Sequence, residues 1–373
     1  MQLNRVYLEH FRNYAEACFA FDPGVNLICG ANAQGKTNLL EACALLSTMR
    51  LFRTGQKKEG LSFGASEGRV KGEFEAERQP FTLEVRLHAG KAMEVFRAGA
   101  RLRRQSEGQG LLKTVLFCPD DLYLIRAGAA SRRKFLDTAL GQLRPNYGRY
   151  LEEYNRVLEH KTRILRDSAE RPDLLALYDD FSLRLAHLGA GIVRYRARYL
   201  RKLGEAAAAL HREIAPGERL TLRYATIPDD PFGTLQEIEA ALQEHLFRHK
   251  QAEIASRSCL SGCHKDDIII EIDDAPAAKF GSQGQVRTCA LVLKLAEREL
   301  LREDCGEHPV LLLDDVLSEL DKRRQDFVLN RIRAGQVLIT CCEEEAAAKL
   351  AAGRIFHIRN GSIQESSENR DKI

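Results

Sequence analysis

The sequence predicts an α/β fold with two parts. One is a head built from a mixed sheet and an antiparallel β layer; the other is a helical arm that interrupts it. Three observations predict this. A short, mostly apolar run, Val25-Asn26-Leu27-Ile28-Cys29, leads into a glycine-bracketed loop and then a helical pattern from Asn38 to Thr48. A second apolar run, Val310 to Leu313, ends in the acid pair Asp314-Asp315. Between them, from residue 119 to about 215, the chain is charged, helical in pattern and almost free of Pro and Gly.

The loop after Cys29 is Gly30-Ala31-Asn32-Ala33-Gln34-Gly35-Lys36-Thr37, a G-x-x-x-x-G-K-T motif between a strand and a helix, the setting that makes it specific. Glycines let the backbone wrap closely around a phosphate. Successive N–H groups and the helix N-terminus supply partial positive charge. Lys36 is expected to reach the β- and γ-phosphates of ATP, and the Thr37 hydroxyl to bind Mg²⁺.

The first strand is expected at Met1 to Leu8. From 69 to 98 the pattern alternates, with Phe81, Leu83, Val85 and Leu87 on one face and Thr82, Glu84, Arg86 and His88 on the other, which predicts an antiparallel layer. An apolar run at 111–118 ends at Pro119-Asp120-Asp121. Two helices joined near Arg171-Pro172 then form an arm. Arg194, Arg198, Arg201 and Lys202 fall at helical spacing with Tyr195 and Tyr199 interleaved. They form either a DNA phosphate contact with aromatic support or a solvated face, and Arg132, Arg133 and Lys134 carry the same two readings, as do Arg101, Arg103 and Arg104. Ile268 to Ile270 reads as a strand, and Ser282-Gln283-Gly284-Gln285 opens a helix reaching about Arg302. Gln336 to Thr340 is a strand, and Arg359-Asn360-Gly361 is a type I′ hairpin turn between two short strands. The divisions are 1–118 and 262–364 for the head, 119–261 for the arm, and a polar, disordered tail at 365–373.

The run ending in Asp314 delivers a carboxylate to the C-terminal edge of a sheet, where such sheets place ligands. Asp314 is the expected Mg²⁺ partner of Thr37, and Asp315 is placed to orient or deprotonate the attacking water. The Ser282 loop offers a hydroxyl, a glycine and free N–H groups, a second phosphate cradle. Two protomers can share one ATP through the two cradles.

Composition narrows the class. With 373 residues, 44% hydrophobic and 29% charged, the chain has room for two or three domains of ordinary globular character. A net charge of +3 means that any nucleic-acid surface must be local. No apolar run is long enough for a membrane span, and no signal-peptide core is seen. The ten cysteines lack a spacing framework, which suggests reduced thiols in a cytoplasm, and the adjacent Cys341-Cys342 pair is ill suited to a structural disulfide. Cys259, Cys263 and His264 fall short of a four-ligand zinc set.

Taken together, the motifs resemble ABC-type ATPase heads of the SMC class, and most closely the RecF family, over nearly the whole chain. The residues that carry the resemblance are Phe11 to Tyr14, the loop with Asn32 and Asn38, Pro119 to Leu122, and Arg132 to Asp137. They continue with Ser282 to Gln285, Leu293 to Glu297, Leu311 to Asp315 and Ser318 to Asp321. The resemblance implies a P-loop ABC-ATPase head with Arg12 and Asn13 touching the nucleotide, and with Ser282, Gly284 and Gln285 completing the ATP site in trans. It implies an ATP-dependent homodimer that clamps DNA, RecO and RecR as partners, and a role in loading recombinase and in the SOS response. The chain departs from the family at Ala129, Cys263 and Lys265. Asp315 stands where transporter-type heads carry glutamate, and Thr340-Cys341-Cys342 where they carry histidine, which implies slow hydrolysis. Rival readings are a transporter ATPase subunit, an SMC-like DNA tether and a metabolic P-loop kinase. The short arm argues against the tether, and the second cradle against the kinase.

Overall fold

The computed structural model describes residues 1–54, 56–332, 334–342 and 353–368. They divide into two compact units, Met1–Tyr123 with Ala290–Ile373, and Leu124–Cys289. The segment 262–289, with the Ser282 loop, falls in the second.

The first unit holds two six-stranded sheets. In the mixed sheet the order is Ser362–Glu368, Gly353–Arg359, Val25–Cys29, Val337–Cys341, Val310–Leu313, Thr114–Phe117. All pairs are parallel except the hairpin between Gly353–Arg359 and Ser362–Glu368. Val25–Cys29 is buried from Asn26 onward and Val310–Leu313 throughout, the signature of strands covered on both faces. The second sheet is antiparallel and contains Gln2–Phe11, Tyr14–Ala20, Glu67–Ala76, Gln79–His88 and Glu94–Arg97. Its Leu83, Val85 and Leu87 point into the core, as the alternation predicts. The helix Lys36–Thr48 packs against strands of both sheets and is buried almost all round, so its pattern is apolar on more than one side.

Gln336 ties the unit together from its interior. Its side chain accepts from Leu3 N (2.7 Å) and donates to the carbonyls of Leu3 and Asp22 (2.8 Å each). The turn at Asn360-Gly361 has positive φ at both residues, 50° and 70°, as a type I′ hairpin requires. The expected tail at 365–373 is corrected in its first part. The ladder continues to Glu368, which pairs with Arg354, because backbone pairing to a neighbouring strand outweighs polar composition. Residues 369–373 lie outside the described residues.

The second unit contains the helices Ala129–Leu143, Pro145–Asp167, Tyr178–Ile214 and Leu235–Ser256. A 3₁₀ turn, Pro172–Leu177, links the second and third. The sequence reading missed its three-stranded sheet, Leu220–Ala225, Asp267–Ile272 and Ala275–Pro276. Asp267–Ile272 therefore pairs within this unit, its partner strand being hidden in a short stretch between two helices.

Candidate functional site

The phosphate loop is shaped by what surrounds it. A Cβ on Gly30 would lie 2.5 Å from the Ile358 carbonyl oxygen, so only glycine lets the two backbones approach. Gly35 has φ +124° and would bring a Cβ within 2.9 Å of the Tyr14 hydroxyl. Tyr14 donates to Gly35 O (2.9 Å) and Asn13 Nδ2 to Gln34 O (2.9 Å), while Asn38 Nδ2 donates to Asn13 Oδ1 (2.6 Å). From the other side the hairpin turn donates to Gln34: Asn360 N to its side chain (2.7 Å) and Gly361 N to its carbonyl (2.9 Å). Asn13 thus braces the loop.

Lys36 is buried, and its ammonium donates to Gly30 O (2.6 Å), Ala31 O (3.2 Å) and Cys342 Sγ (3.2 Å). The charge sits at the mouth of the loop, held by groups that a phosphate can replace. The strand order places Val337–Cys341 between the loop strand and the Asp314 strand, and Thr340 uses that position. Its hydroxyl donates to Asp314 Oδ1 (3.0 Å) and accepts from Asp315 N (2.8 Å). Thr37 Oγ1 donates to the same Asp314 oxygen at 2.9 Å. Burial pushes the Asp314 carboxyl above its ordinary range, against the hydrogen bonds from Thr37 and Thr340. Asp315 has φ +49° and accepts at its carbonyl from Ser318.

The donor set fits a magnesium ion. A hydroxyl and a carboxylate converge at 2.9 Å, both hard oxygens, beside a lysine suited to phosphate. When bound, the ion neutralises phosphate charge; Thr37 and Asp314 would hold it.

Arg12 has a protein partner next to the loop. Its guanidinium grips Glu41 in two bonds, 2.7 and 3.1 Å, and Arg53 binds the same carboxylate at 2.7 Å. Glu41 is fully buried on the loop helix. Burial pushes its carboxyl up, but the two arginines outweigh that and hold it below its ordinary value. Glu41 and Thr340 are the site residues that sequence reasoning missed. The available signal for Glu41 was a single acid inside an apolar helix.

In the other unit, Ser282 and Gln285 form a reciprocal cap on the helix Gln283–Cys305. Ser282 N donates to Gln285 Oε1 (2.8 Å), and Gln285 N donates to Ser282 Oγ (3.2 Å). Gly284 lies in the same first turn, where Thr288 donates to its carbonyl. Arg132 makes two bonds to Asp267, 2.7 and 2.8 Å, and Arg133 donates to the Asp266 carbonyl, so both are engaged within the unit while half-buried. On Tyr178–Ile214, Arg198 and Arg201 are exposed and Arg194 half-buried. The interleaved tyrosines face inward: Tyr199 is buried and Tyr195 packs edge-on against Tyr147. Arg196 is also buried, bonded to Asp137 and Asp266. His264 bonds Tyr154 (2.8 Å), and Cys259 lies 3.5 Å from the Thr162 hydroxyl.

A family model described as the RecF/RecN/SMC N terminal domain matches residues 2–364. The chain is 34% identical to the DNA replication and repair protein RecF of Agathobacter rectalis, over 99% of this chain and all of that one. It is 36% identical to its counterpart in Pediococcus pentosaceus, over 99% and 100%.

The chain belongs to the RecF family.

A solved RecF–ATP structure, described as a recombination mediator in the RecFOR pathway, superposes with a TM-score of 0.90 at 32% identity, covering 98% of this chain and 97% of that one. An SMC head from Pyrococcus furiosus shares the fold at a TM-score of 0.56 and 16% identity, over 99% and 97% of the two chains. The fold is thus the ABC-ATPase head of RecF and SMC proteins, with a mixed sheet and an antiparallel layer.

Proposed function

We propose that this chain is an ATP-dependent DNA-binding protein of recombinational repair and replication restart. ATP joins two copies around DNA at gaps, and slow hydrolysis releases it. The observation that carries the reading is the convergence of Lys36, Thr37 and Asp314 at one loop. Kinship with RecF proteins named for replication and repair, and with a RecF solved with ATP, supports it.

In this reading Lys36 and the amides of residues 30–37 hold the phosphates. Thr37 and Asp314 hold Mg²⁺, and Asp315 orients water. Ser282, Gly284 and Gln285 complete the site from the second copy. Arg12 and Asn13 touch the nucleotide, Arg12 also gripping Glu41 beneath the loop. Arg198 and Arg201 are the exposed arm residues offered to DNA phosphates, with Arg194 beside them. RecO and RecR are the proposed partners in loading recombinase, in the cytoplasm.

Two measurements test it. DNA affinity with and without ATP, on single-stranded, duplex and gapped DNA at fixed salt, should rise with ATP and lose that rise in Lys36→Met. Sedimentation should show an ATP-dependent dimer that Ser282→Arg abolishes; a dimer indifferent to that change rules out the shared site.

A further inference from the structure

Three cysteines end the two strands beside the phosphate loop, two of them in sulfur contact, and the proposed ATPase cycle uses none of them. Cys29 ends the strand that feeds the loop, and Cys341 ends the adjacent parallel strand; the two are register partners with sulfurs 3.2 Å apart. Neighbouring strands lie about 4.8 Å apart. That spacing falls inside the Cα separation of disulfides, so a bond between these two sulfurs needs little backbone movement. Cys342 follows. It is exposed, with its sulfur 3.2 Å from the Lys36 ammonium and 3.0 Å from Asn32 Oδ1. An exposed thiol beside a fixed cation, next in sequence to a close thiol pair, is the arrangement of an oxidant-responsive site.

We propose that Cys29, Cys341 and Cys342 form a three-thiol modification site for hydroperoxides, entered at Cys342 and ending in a Cys29–Cys341 disulfide, and that nucleotide at Lys36 controls entry.

In the first step the Cys342 thiolate attacks the peroxide. An S–O bond forms, the O–O bond breaks, and the alcohol or water leaves with a proton. Cys341 sulfur then attacks the sulfenic sulfur, an S–S bond forms and water leaves. The ring closed by adjacent cysteines is strained and therefore labile. Cys29, poised 3.2 Å from Cys341, attacks the Cys341 sulfur, and its proton passes to the departing Cys342 sulfur. Overall, two thiols are oxidised to one disulfide and the peroxide is reduced. Entry at Cys341 itself is disfavoured because its sulfur lies against Cys29 and is less accessible than that of the exposed Cys342. A triphosphate on Lys36 takes the ammonium from Cys342 and covers the thiol. Only this last clause rests on the ATP reading.

The test uses the full chain, reduced, treated with hydrogen peroxide, quenched with N-ethylmaleimide and mapped by peptide mass. A Cys29–Cys341 linked peptide pair, with Cys342 alkylated and the link reversed by dithiothreitol, is expected. Cys342→Ser should slow the link by about tenfold or more, and Cys29→Ser should trap a Cys341–Cys342 bond. Cys342 sulfinate without the link, or a link rate indifferent to Cys342→Ser, overturns the site. ATP with magnesium should slow the link by about threefold or more in wild type and not in Lys36→Met. An intact link that ATP does not slow overturns nucleotide control alone and leaves the thiol site standing.

Discussion

The helices Lys36–Thr48 and Gln283–Cys305 begin in opposite ways. The first starts at Gly35, with no side-chain cap and no acid in its first turn. Its amide donors face the loop, and a lysine, a hydroxyl and an aspartate stand around them. The second starts with its own reciprocal cap, Ser282 and Gln285 each accepting the other's amide. An uncapped N-terminus costs stability until an anion arrives, whereas a self-capped one is stable alone and must share its donors to bind. The difference suits the proposed roles. One terminus is built to hold phosphate in a single protomer, and the other to meet it only when a second protomer brings it.

The largest expected effect separates the two termini outright. Lys36→Met should weaken ATP binding by the monomer roughly 100-fold, the loss of a charge-assisted contact, whereas Ser282→Ala should leave it within about twofold, both by titration calorimetry. Equal losses in the two variants would erase the distinction. Next in size is the support beneath the first terminus. Glu41→Ala strands Arg12 and should cost about 3 kcal/mol in denaturant unfolding. Because Glu41 titrates below its ordinary value in the fold, its contribution is complete above about pH 4.5 and is lost as pH falls through the folded value. The stability gap between wild type and Glu41→Gln should therefore narrow in acid.

Asp314 carries the opposite sign. Burial raises its carboxyl, so the folded state holds that proton more tightly than the unfolded chain, and the group costs stability as pH rises past 3.8. Asp314→Asn keeps an acceptor for Thr37 and Thr340. It should stabilise the nucleotide-free protein by on the order of 1 kcal/mol at pH 7 while ending magnesium-dependent hydrolysis. The smallest effect sharpens the second terminus: Ser282→Ala should lower stability by about 1 kcal/mol through the lost cap, measured by thermal unfolding.

Much of this was legible in the chain. The loop strand and the Asp314 strand have the predicted bounds, Val25–Cys29 and Val310–Leu313, because each is a short apolar run closed by a glycine or an acid pair. The Asn360-Gly361 turn was legible because few other residues accept its backbone angles. Glu41 and Thr340 were not, since their meaning lies in partners far away in sequence: Glu41 needs Arg12, and Thr340 needs Asp314. The arginines on Tyr178–Ile214 show the same limit. In sequence Arg194, Arg198, Arg201 and Lys202 were read as one basic stripe at helical spacing, with nothing to say what Arg196 between them does. The helical period turns Arg196 inward to Asp137 and Asp266, and leaves Arg198 and Arg201 outside.

The hairpin turn that holds Gln34 comes some three hundred residues after the loop it braces, and the strands on either side of the loop strand also come from the end of the chain. A ribosome making this protein therefore releases residues 30–37 early but leaves them without their final shape until the turn at 360 has emerged. The nascent chain has no finished pocket in which to trap ATP, and competence for nucleotide arrives only once residues 353–361 have emerged.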